Sequence, residues 1–107
     1  RFASMTAELE DFHRLVIGKV VTDLSMAGAK NPVVACAKMM NFPIGYVVFA
    51  LQQLATEGYF EWTALLPEND GEHKHPVSGN LTVEGARRFR ILSRREENQR
   101  ENCERNT

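Results

Sequence analysis

The side chains best placed to do chemistry lie between Asn41 and Phe60, in the run NFPIGYVVFALQQLATEGYF. There Gly45, Tyr46, Phe49, Gln52 and Gln53 follow one another at spacings of one, three, three and one. That spacing keeps them on one side of a helix. Glutamine can bond the adenine edge, a tyrosine hydroxyl can reach a phosphate, and a phenylalanine can touch a thymine methyl. The same Tyr-Val-Phe patch beside glutamines would also suit a helix-in-groove protein partner, and its apolar members could simply extend a core. From Pro43 to Thr56 there is no cation, although phosphate neutralisation supplies most non-specific affinity for nucleic acid. Positive charge would have to come from Lys30 and Lys38, from His73, Lys74 and His75, or from Arg87, Arg88 and Arg90.

Other reactive-looking groups point to less. His73 and His75 are two apart and would share one face of a strand, but only Asp70 and Glu72 are near enough in sequence to complete a metal site. The expectation is a polar turn without a metal. Glu61, Glu68, Asp70 and Glu72 surround the same turn with no nucleophile beside them. There is no Gly-rich phosphate loop and no triad arrangement, so neither an enzyme nor a cofactor is expected. The arginines at 87, 88, 90, 94 and 95 have helical spacing and form either a solvated face or a phosphate-facing patch.

The chain has 107 residues, net charge −1, 43% hydrophobic and 25% charged residues. This bounds it to one globular domain with one core. The charge balance gives no support to nucleic-acid binding, yet a local basic patch remains compatible with it. Cys36 reads as a small core residue and Cys103 as a free thiol in a polar tail; no disulfide framework is implied. An uncharged run of 18 residues, Met39 to Thr56, contains Asn41, Pro43, Gly45, Gln52 and Gln53 and is rejected as a membrane span. No secretory leader is read at the N-terminus, so a cytoplasmic location is expected.

The elements that would position these groups follow from punctuation. Helix 1 is expected from Thr6 to about Ala27, with Phe12, Leu15, Val16, Val20 and Leu24 on one face and Ile17 and Val21 widening it. Asn31-Pro32 is a start signal for helix 2, Val33 to Met40. Asn41 closes that helix, Pro43 opens the first turn of helix 3, and Gly58 supplies its left-handed stop. Val47, Ala50, Leu51 and Leu54 form the inward stripe of helix 3. Tyr59 to Leu66 and His73 to Asn80 are extended segments around the turn Glu68 to Gly71, with Pro67 ending the first. Thr82 caps helix 4, from Val83 to about Arg95 or somewhat beyond, and the polar segment 96–107 is expected to fray. The fold class is therefore mainly α with a small β-hairpin: a winged helix-turn-helix in the order helix 1, helix 2, helix 3, two-stranded wing, helix 4. Residues 1–5 are an N-terminal extension, 6–95 the domain and 96–107 the tail.

On residues 43–92 the chain resembles the PadR-like winged-helix transcription regulators. Their recognition helix carries G-T-L-Y-P-A-L-x-x-L-E-x-E-G-L-I, and here the run from Gly45 to Phe60 is similar, ending Leu51-Gln52-Gln53-Leu54-Ala55-Thr56-Glu57-Gly58-Tyr59-Phe60. The close Y-x-L-T-x-x-G-R is echoed by Leu81-Thr82-Val83-Glu84-Gly85-Ala86-Arg87, a box shared by several winged-helix families. Val48 and Phe49 stand at the family's tyrosine and proline positions, and Gln52 and Gln53 where basic residues are usual. The resemblance implies a DNA-binding regulator of transcription whose partner is double-stranded DNA. Asn41, Gly45, Tyr46, Phe49, Gln52, Gln53, His73, Lys74 and His75 would form the contact surface. The rival expectation is a protein-interaction module that kept the scaffold and lost the reading charge. A homodimer is expected through Leu9, Phe12, Val16, Phe89 and Leu92, with the helix 4 arginines at its rim; the alternative is that helices 1 and 4 pack only on each other within one chain.

Overall fold

Three successive helices end with the same backbone device, and those endings set the path of the chain. The computed structural model describes the backbone of residues 2–67 and 74–105, and the side chains of 10–63 and 78–98. Its elements are α1 (Phe2–Met26), α2 (Pro32–Met40), α3 (Ile44–Thr56), β1 (Phe60–Pro67), β2 (Lys74–Leu81) and α4 (Val83–Arg105). After α1, α2 and α3 the chain turns on Gly28 (φ 86°), Asn41 (φ 57°) and Gly58 (φ 85°). At each, the next N–H bonds the carbonyl five residues back: Ala29 to Leu24 at 3.0 Å, Phe42 to Ala37 at 2.9 Å and Tyr59 to Leu54 at 2.8 Å. This is the Schellman closure, and it needs a residue that tolerates the left-handed region. Glycine does so freely and asparagine more readily than other side chains.

Helix starts are equally local. The Val34 N–H donates to Asn31 Oδ1 at 3.1 Å, so Asn31 caps α2 ahead of Pro32. Pro43 stands outside α3 as its N-cap, at φ −60° and ψ 142°, rather than within its first turn as the sequence suggests. The three residues 41–43 therefore join α2 to α3, and the two helices are bent by 116°. No single helix among the described residues is long and apolar enough to cross a membrane.

The core draws on every element. Leu15, Ile17 and Val21 of α1 meet Val33, Cys36 and Ala37 of α2, Val47, Ala50, Leu51 and Leu54 of α3, Phe60 of β1 and Leu92 of α4. α1 is the hub, packed against α2, α3, α4 and β2. Its broad apolar arc is thus used inside the chain, with Phe12, Val20 and Leu24 half-buried against the core. β1 and β2 form a two-stranded antiparallel sheet with Phe60 opposite Leu81 and Trp62 opposite Gly79, and the register slips on both sides of Ala64. Pro67 closes β1 from within as its last residue instead of standing beyond it.

Two joints lock this order. The Leu81 N–H donates to Thr22 Oγ1 at 2.9 Å, while the Thr22 hydroxyl donates to the Gly18 carbonyl at 2.7 Å. The Thr82 hydroxyl donates to the Gly58 carbonyl at 2.7 Å and its N–H to the Tyr59 carbonyl at 2.9 Å. Thr82 Oγ1 also accepts from the Gly85 N–H at 3.1 Å, which caps α4. α4 then runs back along α1: residue 81 lies beside residues 18 and 22, whereas Phe89 stacks on Phe12 and Arg88 pairs with Asp11. The two helices are antiparallel. α4 continues to Arg105, so residues 96–105 are helical and not the frayed tail that their polarity suggests. Glutamate, arginine and glutamine are good helix formers and need no core to extend a helix already begun.

Two outcomes follow. A Cβ at Gly85 would lie 2.0 Å from the Tyr59 carbonyl oxygen, so Gly85→Ala must displace backbone and should destabilise by at least the roughly 1–3 kcal/mol of overpacking, read as a lowered urea midpoint. Burial pushes the Cys36 thiol from 9.0 up to about 11. The folded state therefore holds this proton more tightly than the unfolded chain, and its contribution is complete below pH 9.0 and falls as pH rises toward 11. Urea midpoints of wild type should drop more steeply over that window than those of Cys36→Ala.

Candidate recognition surface

α3 splits its residues as the sequence stripe requires. Val47, Ala50, Leu51 and Leu54 are buried, whereas Ile44, Gly45, Tyr46, Phe49, Gln52 and Thr56 are exposed. Val48 and Gln53 are half-buried, Val48 against the core. Phe49 is 58% exposed, so it does not belong to the interior.

The exposed face has a built edge. Phe42 of the turn and Tyr46 of α3 lie with ring centroids 5.0 Å apart, and the His13 ring of α1 stands 5.5 Å from Phe42 and 6.0 Å from Tyr46. Edge-on and tilted ring contacts of this kind add to plain burial, and they hold the first turn of α3 against α1. Beside them a cleft of about 350 Å³ opens between α1 and α3, with Glu10, His13 and Arg14 on one wall and Tyr46, Phe49 and Gln53 on the other. A second depression, about 280 Å³, lies on the far side of Phe49 between Gln52 and Glu57. Phe49 thus stands as a ridge between two hollows.

Charge around this face is mostly spent. Arg14 is hydrogen-bonded to Asp11 and lies 3.8 Å from Glu57; Asp11 also lies 3.7 Å from Arg88. Lys30 and Lys38 are exposed near the two ends of α2. No side-chain hydrogen bond caps α3 at Pro43, so the N–H groups of its exposed first turn carry the positive end of the helix dipole outward.

The structure brings Gly45, Tyr46, Phe49, Gln52 and Gln53 onto one surface. Asn41 is exposed beside them, but its conformation serves the helix stop. Lys74 and His75 lie on β2, opposite Pro67 and Leu66, with side chains outside the described residues. His73, Glu68, Asp70 and Glu72 also lie outside them. Among the described residues no group of His, Cys, Asp or Glu could hold a metal ion. Sequence reading missed His13, Arg14, Glu10 and Glu57 as parts of the surface. They come from the α1–α3 approach, which no local pattern encodes.

Of the residues expected at a dimer interface, Leu92 alone among those described is corrected to the core. Leu92 is 4% exposed and sits in the core, and Phe12 and Phe89 stack on each other with centroids 5.9 Å apart. The antiparallel run of α4 along α1 brings the two rings together and leaves both half-buried. Val16 is half-buried, and the side chain of Leu9 lies outside the described residues.

Compared with known proteins, the chain matches no family model, no curated protein and no solved structure. Among the described residues, the class it defines is a mainly helical domain of four helices carrying one two-stranded antiparallel sheet.

Truncation should separate these phenylalanines. Phe12→Ala removes a half-buried ring from the α1–α4 contact and should cost about 1–3 kcal/mol, while the exposed Phe49→Ala should stay within about 0.5 kcal/mol of wild type. Paired urea titrations read both; equal losses would move Phe49 into the core.

Proposed function

We propose that this chain is a winged helix-turn-helix regulator that binds double-stranded DNA through α3, related to the PadR-like regulators it resembles. The observation that carries the reading is the junction of α2 and α3: a three-residue turn, residues 41–43, and a bend of 116°. That lies within the range of helix-turn-helix units, whose second helix enters the major groove. α3 then offers Tyr46 and Gln52 on its exposed side, and its uncapped first turn offers N–H groups to a phosphate in place of a cation. Lys30 and Lys38 supply backbone contacts from the α2 side, and the β1–β2 hairpin is the wing. Gln52, fully outward, reads the base edge; the half-buried Gln53 supports it from the cleft.

A second reading has its own observation. α3 carries no cation from Pro43 to Thr56, and Phe49 stands proud at 58% exposure. These features suit a protein partner that places apolar groups in the hollows beside Phe49, on a winged-helix scaffold without DNA affinity.

A fluorescence-anisotropy titration against random duplex libraries, repeated over salt, tests both. Each phosphate neutralised contributes about −0.9 to the slope of log affinity against log salt, so a surface this poor in cations should give a shallow slope. In selected sites Gln52→Ala should relax an adenine preference worth about 1–3 kcal/mol. Absence of any duplex binding at low salt sinks the first reading, and duplex binding by the wild type sinks the second.

A further inference from the structure

α4 packs on α1 with one face and leaves the other uncovered. The inner face carries Phe89, Leu92 and the Arg88–Asp11 pair. The outer face carries Arg87, Arg90 and Arg94, all exposed, and with Ile91 they line a groove of about 280 Å³. Ile91 is 41% exposed, and Val83, on the same side of the helix by its period, is 73% exposed. Two branched apolar residues thus stand in water among three cations.

The row of cations is not neutralised within the fold. Arg14 and Arg88 are both paired with Asp11, but among the described residues no ion pair includes Arg87, Arg90 or Arg94. Arg90 has Arg87 one turn before it and Arg94 one turn after; Ala86 and Ser93 hold the other positions three or four residues away. Like charges at these spacings weaken a helix. Glu84 and Glu97 stand only at the two ends of the row, three residues outside Arg87 and Arg94, and both are exposed. The centre of the row is left open to carboxylates from outside the chain.

The groove limits what the occupant is. A phosphate chain would neutralise the arginines but leave Ile91 and Val83 wet. A lipid surface takes up apolar groups that project beyond the cations, whereas Ile91 lies in the groove between them. A helix with carboxylates three and four residues apart and an apolar side chain among them meets both demands. Its acids match the arginine spacing, and its apolar group covers Ile91. We propose that the outer face of α4 docks an acidic amphipathic helix of another protein, with Arg87, Arg90 and Arg94 facing its carboxylates and Ile91 receiving its apolar side chain. The surface shares no residue with α3 and does not depend on what α3 binds. Exposed ion pairs are individually weak and screened by salt, so the affinity falls as salt rises.

Fluorescence anisotropy on the full chain tests the docking. The probe is a labelled synthetic helical peptide with glutamates at the arginine spacing and a leucine among them. Its control has the same composition with the glutamates spread around the helix. At low salt the first peptide should bind at micromolar concentration, and the control about tenfold more weakly. Arg90→Glu sets like charge against the peptide and should weaken binding by about tenfold or more; Ile91→Ser should weaken it by a smaller factor that salt does not change. Circular dichroism checks helix content, and Arg90→Gln, neutral and a good helix former, serves if the reversal disturbs α4. A peptide that fails to bind at high micromolar concentration overturns the proposal. So does a control that binds equally well, or binding that the Arg90 and Ile91 variants leave unchanged. Two other occupants would also overturn it. One is a random duplex, or vesicles of anionic phospholipid, bound more tightly than the peptide and released by Arg90→Glu. The other is a second copy of the chain, seen as a sedimenting dimer that Arg90→Glu dissociates.

Discussion

One threonine joins the ends of two helices, and the arrangement of the rest depends on that joint. Thr82 hands its hydroxyl proton to the Gly58 carbonyl and its N–H to the Tyr59 carbonyl, and accepts the Gly85 N–H. The stop of α3 and the start of α4 thus share one residue. The fit leaves no room for a side chain at Gly85, whose Cβ would meet the Tyr59 carbonyl oxygen at 2.0 Å. The L-T-x-x-G box is thereby a structural clamp. It fixes where the hairpin leaves α3 and returns to α4, and so which face of α3 stays open.

With that clamp set, α1 does the rest. It touches both sides of the molecule: α2 and α3 along one side, β2 and α4 along the other. Gly18 lets Leu81 come close, and Thr22 takes the Leu81 N–H. The ionic chain Glu57–Arg14–Asp11–Arg88 crosses α1 from the end of α3 to the start of α4. Partly exposed pairs of this kind add little stability by themselves; their effect is to use up the charges nearest α3. The exposed face of α3 is left with amides, rings and a helix start without a side-chain cap. Arg87, Arg90 and Arg94 are exposed on the outer face of α4 around Ile91.

Much of this was written in single residues. Asn31-Pro32, Asn41, Gly58 and Thr82 mark helix ends through their own backbone preferences and hydrogen-bonding groups, which act within five residues and need no tertiary partner. The inward stripe of α3 follows from its period alone, and its four apolar members are all buried. For the same reason the exposure of Tyr46, Phe49 and Gln52 was legible. The polarity of the segment after Arg95 points to fraying, but α4 extends to Arg105, because helix propensity and not burial governs a solvent-facing extension.

What the chain could not state locally was which apolar surface meets which. Phe12, Phe89 and Leu92 have the same spacing whether they join two chains or two helices of one. Only the antiparallel run of α4 along α1 buries Leu92 and stacks the half-buried Phe12 and Phe89 on each other. His13, Arg14 and Glu57 belong to the α3 surface through contacts between residues far apart in sequence, and no local preference encodes such contacts. The sequence by itself determined the elements, their caps and the faces of each helix, because those depend on neighbours within a turn or two. The tertiary structure decided the partner of each face, because burial is shared among segments and is settled only when all of them are in place.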